Sequence, residues 1–367
     1  MALKLCNLLC FFLFVASCFP CRFPAESLPE STTMTTASQT TRISNDTWRD
    51  FSRLIDVEKG SRVNGVSELK RYLHRFGYLT NSAGDSKFSD VFDGDLESAV
   101  SLYQKTLGLP ITGKLDPDTV AVISSPRCGV SDETLHDDSI IHATRRYTYF
   151  GGKPRWNRDS PIRLTYAFSK TYTVDYLGSD DVKAVFRRAF GRWAEVVPVS
   201  FSEVEDYSSA DVRIGFFGHD HGDGQPFDGA LGILGHAFAP ENGRLHLDAA
   251  ETWAVDFGRT ESDVAVDLES VATHEIGHVL GLGHSSVKTA VMYPSLRPRT
   301  KKLELTVDDV AGVQKLYGQN PNFRLSSLMG TEKTWRSGTG TGRFLSGSLT
   351  VSLLFLHLLL FLTFYDR

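Results

Sequence analysis

Apolar residues recur at helical spacing in three stretches between residues 62 and 124. The first stripe comprises Val66, Leu69, Leu73 and Phe76, and the second comprises Leu96, Val100, Tyr103 and Leu107. Gly77 and Gly108 follow these stripes, and glycine is a common helix terminator. In the third stretch Asp116 precedes Pro117, the order expected for a helix cap and a first helical residue. The pattern predicts a small three-helix bundle.

Beyond residue 147 alternating and helical patterns are mixed. Two segments, residues 162–168 and 211–217, are predicted to be strands. They alternate apolar with polar residues or are rich in residues that favour strands. Three segments have the apolar spacing of helices, at 182–193, 267–283 and 306–318. Such a mixture predicts an α+β domain.

The first residues have the pattern of a secretory signal. Residues 1–17 carry one lysine, then an apolar run that ends in small residues. We assign the signal peptide to 1–24, with cleavage after Ser17 or at a later position in this range, and the short run argues against a membrane anchor. A linker rich in serine and threonine follows at 25–61, and it contains a glycosylation sequon at Asn45.

The last residues are equally distinctive. Residues 349–364 are largely apolar, and small polar residues at 337–348 precede them. This order is typical of a signal for a glycosylphosphatidylinositol (GPI) anchor, with a linker at 319–344 and a removed signal at 345–367. The candidate attachment residues are Ser337, Gly338 and Gly340. The alternative is a membrane helix, which would be shorter than the ~20 residues that span a bilayer and would contain His357.

Charge and cysteine content narrow the function classes. The formal net charge of −5 on 367 residues argues against a nucleic-acid partner. The five cysteines are at positions 6, 10, 18, 21 and 128. Four of these lie in or beside the signal peptide, so Cys128 is an odd thiol of the secreted chain that calls for an explanation.

The sequence "HEIGHVLGLGH" (274–284) carries the strongest chemical signal. On a helix, His274 and His278 share one face, and a left-handed Gly281 would turn the chain so that His284 reaches the same point. Three neutral imidazoles with an open fourth position are typical of a catalytic zinc site. Glu275 would then act as general base and acid. The alternative is that His274 and His278 are only packed in the protein core. That interpretation would not explain Glu275, Gly281 and His284 at their positions.

These residues also carry a family resemblance. "HEIGHVLGLGHS" with "AVMYP" (290–294) resembles the metzincin pattern, and "PRCGVSD" (126–132) resembles the cysteine switch of matrix metalloproteinases. "HGDGQPFDGALGILGHAFAP" and "HLDAAETW" resemble the structural metal loops of that family, and residues 62–124 resemble its prodomain, which is akin to peptidoglycan-binding modules. The absence of a C-terminal propeller and the anchor signal are most similar to the plant GPI-anchored matrixins.

The resemblance implies the architecture and the mode of latency. It implies an α+β fold in which a metzincin-type catalytic domain at 147–318, with a twisted five-stranded mixed sheet and three helices, follows a propeptide at 62–146. Cys128 would be the fourth zinc ligand of the latent form, in a loop held by pairing of Arg127 with Asp132. Met292 would form an apolar floor under the zinc. Ser131 departs from the proline that many relatives carry, which would loosen the loop but leave the ligand.

The loop at 219–251 offers further metal ligands. His221, Asp223, His236 and His246 form a closed nitrogen and oxygen set that suits a second, structural zinc. The same loop is predicted to bind at least one calcium ion, which prefers oxygen ligands. The candidate ligands are the carboxylates of Asp228, Asp248 and Glu251 and the backbone carbonyls of Gly229, Leu231 and Ile233. His219 and Asp220 are rival ligands, but the His-Gly-Asp triplet of the family falls on 221–223.

We therefore predict a secreted, latent zinc endopeptidase that is monomeric, cleaves polypeptides and is GPI-anchored to the outer face of the plasma membrane, facing the cell wall. The alternative is an adhesion protein that binds glycans through the helical unit and carries an inactive protease domain. The intact Glu275 and Cys128 favour the enzyme. The resemblance also implies an apolar substrate side chain in the primary specificity pocket, which residues 292–305 would bound.

Overall fold

The computed structural model describes residues 49–80, 88–132, 146–324 and 326. The predicted signal peptide, the sequon at Asn45, the attachment candidates Ser337, Gly338 and Gly340 and the tail at 345–367 lie outside them. Within the described part of the chain, no helix has both the length and the apolar character needed to cross a membrane.

The N-terminal unit is the predicted helical bundle. It consists of a 3-10 turn (Arg49–Leu54) and the helices α1 (Val66–Arg75), α2 (Gly94–Thr106) and α3 (Pro117–Ile123). The Asp93 side chain accepts the backbone N–H of Leu96 at 3.0 Å and caps α2. Asp116 caps α3 through the N–H of Thr119 at 2.8 Å, as its position before Pro117 predicted. The apolar stripes of the helices meet in one buried core.

The remaining elements alternate between strands and helices. The strands of the described residues are β1 (Arg127–Cys128), β2 (Tyr147–Tyr149), β3 (Ile162–Phe168), β4 (Val199–Glu203), β5 (Val212–Phe217), β6 (Ile233–Ala237), β7 (Arg244–Asp248), β8 (Trp253–Ala254), β9 (Val266–Asp267) and β10 (Leu282–Ser285). The helices are α4 (Ser179–Val196), α5 (Leu268–Val279) and α6 (Val307–Tyr317).

The main sheet has the order β1-β6-β7-β5-β3-β4 and is mixed, because β6 runs antiparallel to β7 and the other neighbours are parallel. The predicted α+β class with a five-stranded sheet and three helices is confirmed for the catalytic region. The sixth strand, β1, lies in the segment predicted to be the propeptide. It covers β6, which would otherwise be an edge strand with unpaired backbone groups. The N–H of Gly129 donates to the carbonyl of Gly235 at 2.7 Å.

Helix α5 is fixed against α4 and the core. Asp267 caps its first turn by accepting the N–H of Ser270 at 2.9 Å. The indole N–H of Trp193, on α4, donates to the Thr273 carbonyl at 2.9 Å, and that of Trp156 donates to the Val279 carbonyl at the same distance. Both tryptophans are buried. The backbone of α5 is therefore held along its length, which fixes the side chains that it projects.

The helical bundle shares its core with the catalytic domain. Phe217, Phe227, Ile233 and Tyr293 of the catalytic domain belong to the same buried cluster as the apolar stripes of the bundle. On the rim of this contact the Arg75 guanidinium donates to the Pro226 carbonyl at 2.8 Å. The bundle thus packs directly beside the segments that precede and follow α5.

Candidate active site and metal clusters

Three histidines converge at the end of α5. His274 and His278 lie one turn apart on the helix, and Gly281 takes the predicted left-handed conformation with φ of 101°. A Cβ on Gly281 would lie 2.2 Å from the Pro154 carbonyl oxygen, so only glycine fits. The chain then returns in β10. The Nε2 atom of His278 lies 3.1 Å from that of His274 and 3.2 Å from that of His284.

The other ring nitrogen of each histidine identifies its tautomer. The Nδ1 atoms of His274 and His278 contact the carbonyls of Val291 and Leu282 at 2.7 Å, and carbonyls only accept hydrogen bonds. Nδ1 therefore carries the proton, and burial lowers the pKa of both rings so that they are neutral. Unprotonated Nε2 lone pairs then face one another at close range. This repulsive arrangement suits a cation at their centre, with the Nδ1 partners orienting the ligands.

The thiol of Cys128 completes this cluster. Its Sγ lies 3.3 Å from Nε2 of His278, and the residue is buried. Its N–H donates to the Pro294 carbonyl at 2.9 Å, while the N–H of Val130 approaches the sulfur at 3.4 Å. One ligand atom from each of Cys128, His274, His278 and His284 lies within 4.8 Å of the others. Three imidazoles and one cysteine sulfur are a donor set that suits a four-coordinate zinc ion.

Asp132 connects the Cys128 loop to the histidines. Its carboxylate accepts Arg127 at 2.7 Å and the Tyr78 hydroxyl at 2.6 Å. Its other oxygen accepts Nδ1 of His284 at 2.5 Å. Although burial alone would raise it, Arg127 and His284 hold the pKa of Asp132 well below its ordinary value. The predicted partner of Arg127 thus also orients a histidine of the cluster, a contact that the sequence pattern did not reveal.

Glu275 lies beside Cys128 at this cluster. Its side chain is fully buried. Burial raises the pKa of this carboxyl to about 8, although the neighbouring Cys128 thiol opposes the shift. With Cys128 and His274 it lines a small pocket. A buried carboxyl of high proton affinity is suited to accept a proton in this pocket.

A second cluster forms in the predicted metal loop. Oδ2 of Asp223 lies 2.9 Å from His221 Nε2, 2.8 Å from His236 Nε2 and 2.9 Å from His246 Nδ1. His221 donates its Nδ1–H to the His219 carbonyl at 2.9 Å, so its Nε2 lone pair faces the carboxylate oxygen, which suits a shared cation. Burial lowers the pKa of His236 to about 4 and of His246 to about 3.

The rival ligands take other roles. The side chain of Asp220 accepts the N–H of Gly222 at 3.1 Å, and His219 offers its backbone carbonyl. Neither belongs to the clusters of potential ligand atoms found among the described residues.

The predicted calcium ligands lie in one region but do not form a compact cluster. Backbone N–H groups of Gly229, Leu231 and Ile233 donate to the carboxylates of Asp248, Glu251 and Asp228. Burial, with the neighbouring carboxylates, raises the pKa of Asp248 to about 6 and of Glu251 to about 8. Among the described residues, two groups of histidine, cysteine and acidic side chains bring their potential ligand atoms within 4.8 Å of one another. The carboxylates of Asp228, Asp248 and Glu251 belong to neither group. Buried carboxylates are unfavourable as anions unless a positive charge lies nearby, so this region suits a bound cation.

Beneath the histidines, Met292 packs against α5. A Cβ on Gly277 would lie 2.2 Å from the Met292 sulfur, so glycine at this helix position admits the thioether. The backbone N–H groups of Val291 and Met292 both donate to Asp309 at 3.0 Å. Asp309 also forms a capping box with Thr306 at the start of α6. Asp309 was not among the predicted site residues, although its place three residues after Thr306 was a usable signal.

Comparisons with known proteins agree with this geometry. Residues 155–318 match the Matrixin family, and residues 62–123 match a putative peptidoglycan binding domain. Metalloendoproteinase 1-MMP of Arabidopsis thaliana is 64% identical over 359 residues, which cover 96% of this chain and 97% of the relative. The chain belongs to the matrixins. Matrixins are zinc metalloendopeptidases, so this matrixin hydrolyses peptide bonds and its substrates are polypeptides.

More distant matrixins align over a smaller part of the chain. Metalloendoproteinase 1 of Glycine max is 46% identical over 266 residues, covering 71% of this matrixin and 85% of the relative. Matrilysin of Rattus norvegicus is 40% identical over 256 residues, covering 69% and 85%.

Proposed function

We propose that the chain is a latent proenzyme in which His274, His278 and His284 hold the catalytic zinc and Cys128 fills the fourth position. The observation that carries this proposal is the convergence of three Nε2 lone pairs and one sulfur, with each Nδ1 occupied by an acceptor. Because β1 is the edge strand of the sheet, removing the propeptide would withdraw the sulfur without disturbing the histidines on α5 and β10.

In the active enzyme Glu275 moves the proton. A bound zinc ion supplies Lewis acidity to the attacking water and to the scissile carbonyl. A carboxylate oxygen of Glu275 accepts the proton of the attacking water and then delivers it to the nitrogen of the leaving amine. Val291, Leu282 and, in the latent form, Asp132 hold the histidine rings in the tautomer that keeps Nε2 free.

The full-length chain tests this proposal directly. Cleavage of a fluorogenic peptide is measured before and after addition of an organomercurial, which captures thiols, with and without a zinc chelator. We expect no turnover before activation, turnover afterwards, and loss of turnover with the chelator. Turnover that survives removal of zinc, or no turnover after activation, contradicts the proposal.

The second cluster is proposed to hold a structural zinc, giving two zinc ions per chain. Its four ligands come from residues 221–246, and they leave no position open for water or substrate. At least one calcium ion is proposed for the Asp228, Asp248 and Glu251 region, where it would offset the burial of the carboxylates. Metal analysis of the purified chain in calcium-containing buffer would give two zinc ions and at least one calcium ion. Zinc at a ratio of one would exclude the second site.

The cellular placement is also a proposal, since it rests on residues outside the described part of the chain. The signal at 1–24 would direct secretion, Asn45 would be glycosylated, and a GPI anchor at Ser337, Gly338 or Gly340 would hold a monomeric enzyme on the outer plasma membrane. Phosphatidylinositol-specific phospholipase should release the protein from cells, and deletion of 345–367 should yield a secreted form. Release by detergent but not by the phospholipase would instead indicate a membrane helix.

An adhesion function remains the second candidate because residues 62–123 match a putative peptidoglycan binding domain. The helical unit would then bind glycans while the protease domain serves as a support. Intact metal clusters and the buried Glu275 favour catalysis, since a support requires neither. Pull-down of the Glu275→Gln chain on cell-wall glycans separates the two functions, because glycan binding would survive this change.

A further inference from the structure

A pocket next to Glu275 contains a lysine. The helix side of the pocket is formed by Val271, His274 and Glu275, and Cys128 also lines it. The space between its lining residues, part of it open to solvent, is about 290 Å³, which is enough for a substrate side chain. The lining also includes the segment 293–296 and Lys302. Because it adjoins the proposed base and a zinc ligand, a substrate side chain next to the scissile bond would enter this pocket.

Lys302 is held in place through its backbone and has unused donors. Its N–H donates to the Ser270 hydroxyl at 2.8 Å, which anchors it beside α5. Its ammonium donates to the Ser295 carbonyl at 3.2 Å and lies 4.9 Å from the centre of the Tyr293 ring. An ammonium has three donors, and no carboxylate of the described residues forms an ion pair with this one. The neighbouring Lys301 differs, since its amine lies 3.4 Å from Asp267.

A second polar group in the same lining is unsatisfied. The hydroxyl oxygen of Ser295 is buried and has no hydrogen-bond partner among the described residues. The other walls are largely apolar, with Leu234, Val271, Val291 and Leu296. Burial lowers the pKa of Lys302 to about 8, although Asp309 opposes this shift, so the amine is still mostly charged at pH 7. A partly desolvated ammonium and a free hydroxyl in an apolar pocket favour a ligand with an oxygen acceptor.

We propose that Lys302 and Ser295 make this pocket selective for substrate side chains that end in a carboxamide or carboxylate oxygen, namely glutamine and glutamate. The apolar stem of such a side chain would contact the walls, and its terminal oxygen would accept from the ammonium and the hydroxyl. This inference rests on the proposed catalytic site, and it replaces the expectation of a purely apolar pocket. Lys302 is thereby a specificity-determining residue, not a catalytic one.

Matched peptides test this selectivity on the activated full-length chain. The peptides differ only at the residue after the scissile bond, which is glutamine, glutamate or leucine. We expect the wild type to cleave the glutamine and glutamate peptides at least as efficiently as the leucine peptide. In Lys302→Met, the ratio of kcat/KM for glutamine over leucine should fall about 10–100-fold, the usual effect of losing a hydrogen bond to a charged group. The corresponding ratio of kcat/KM for glutamate over leucine should fall further.

Two controls separate this role from a structural one. Lys301→Met removes the neighbouring exposed lysine and should leave the ratios unchanged, whereas Lys302→Arg should restore a preference for acceptor side chains. If Lys302→Met changes the rates for all three peptides by the same factor, the lysine only fills space and the inference is wrong. A wild-type chain that cleaves none of the peptides would contradict the proposed function instead.

Discussion

The two metal-ligand clusters use similar atoms but take them from different parts of the chain. The cluster of His221, Asp223, His236 and His246 lies within one stretch of 26 residues, and one oxygen of Asp223 contacts all three histidines. In the other cluster, three histidines come from α5 and β10, but the sulfur comes from residue 128, in the predicted propeptide. The first is closed by its own loop, and the second is closed by a separable segment.

This difference explains how one domain can hold both a permanent and a switchable site. Losing Cys128 leaves three histidines whose tautomers are set largely by the catalytic domain, through Val291 and Leu282. Glu275 lies beside this cluster, next to the Cys128 thiol. The cluster around Asp223 has one carboxylate, and that carboxylate is itself a potential ligand. An open position and an adjacent base would therefore distinguish the proposed catalytic cluster from the proposed structural one.

The largest expected effect comes from removing that base. Glu275→Gln should lower kcat/KM of the activated chain by at least about 100-fold, since a general base contributes on this order or more. The amide has nearly the same shape, so zinc content and melting temperature should stay close to those of the wild type. Peptide cleavage and metal analysis of the same preparation provide the check. Near-normal turnover would exclude Glu275 from the mechanism.

The cluster around Asp223 should respond to mutation through stability. His236→Ala should lose one zinc ion and lower the melting temperature by about 5–10 °C, because a structural metal contributes directly to folding. The zinc at the catalytic cluster should be retained. Calorimetry combined with metal analysis tests this expectation. A variant that keeps both zinc ions and its melting temperature would show that the second cluster has no structural role.

A smaller effect is expected from calcium and pH. Folding raises the pKa of Asp248 to about 6 and of Glu251 to about 8, so their contribution to stability is present at low pH and is lost as pH rises through these values. In zinc-containing buffer without calcium, the melting temperature should therefore fall by a few degrees as pH rises from about 5 to about 8.5. Added calcium should abolish the decrease. A pH profile that calcium does not change would argue against the site.

Local patterns predicted the helices and ligands, because each depends on short-range spacing. The stripe on α4, the cap Asp116 and the left-handed Gly281 follow from rules that act within a few residues. The convergence of His274, His278 and His284 follows from one helical turn and one reversal.

Contacts between distant segments were not predictable from spacing. The sequence showed Asp132 near Arg127, but not its hydrogen bond to His284, which is 152 residues away. Similarly, nothing in the run of residues 292–305 shows that Lys302 turns into the pocket while Lys301 faces solvent. The sixth strand was also missed, because two residues are too few to give an alternating pattern. These features depend on tertiary packing.

The central claim is that the sulfur of Cys128, and not the bulk of the helical bundle, keeps the enzyme latent. It is tested most directly by the peptide-cleaving activity of the intact, full-length Cys128→Ser chain. We expect activity without any cleavage of the chain, because a neutral hydroxyl is a far poorer zinc ligand than a thiolate. An organomercurial should activate the wild type and add nothing to the variant. If the variant stays inactive until the chain is cut between residues 135 and 147, the bundle alone blocks the site and the claim is wrong.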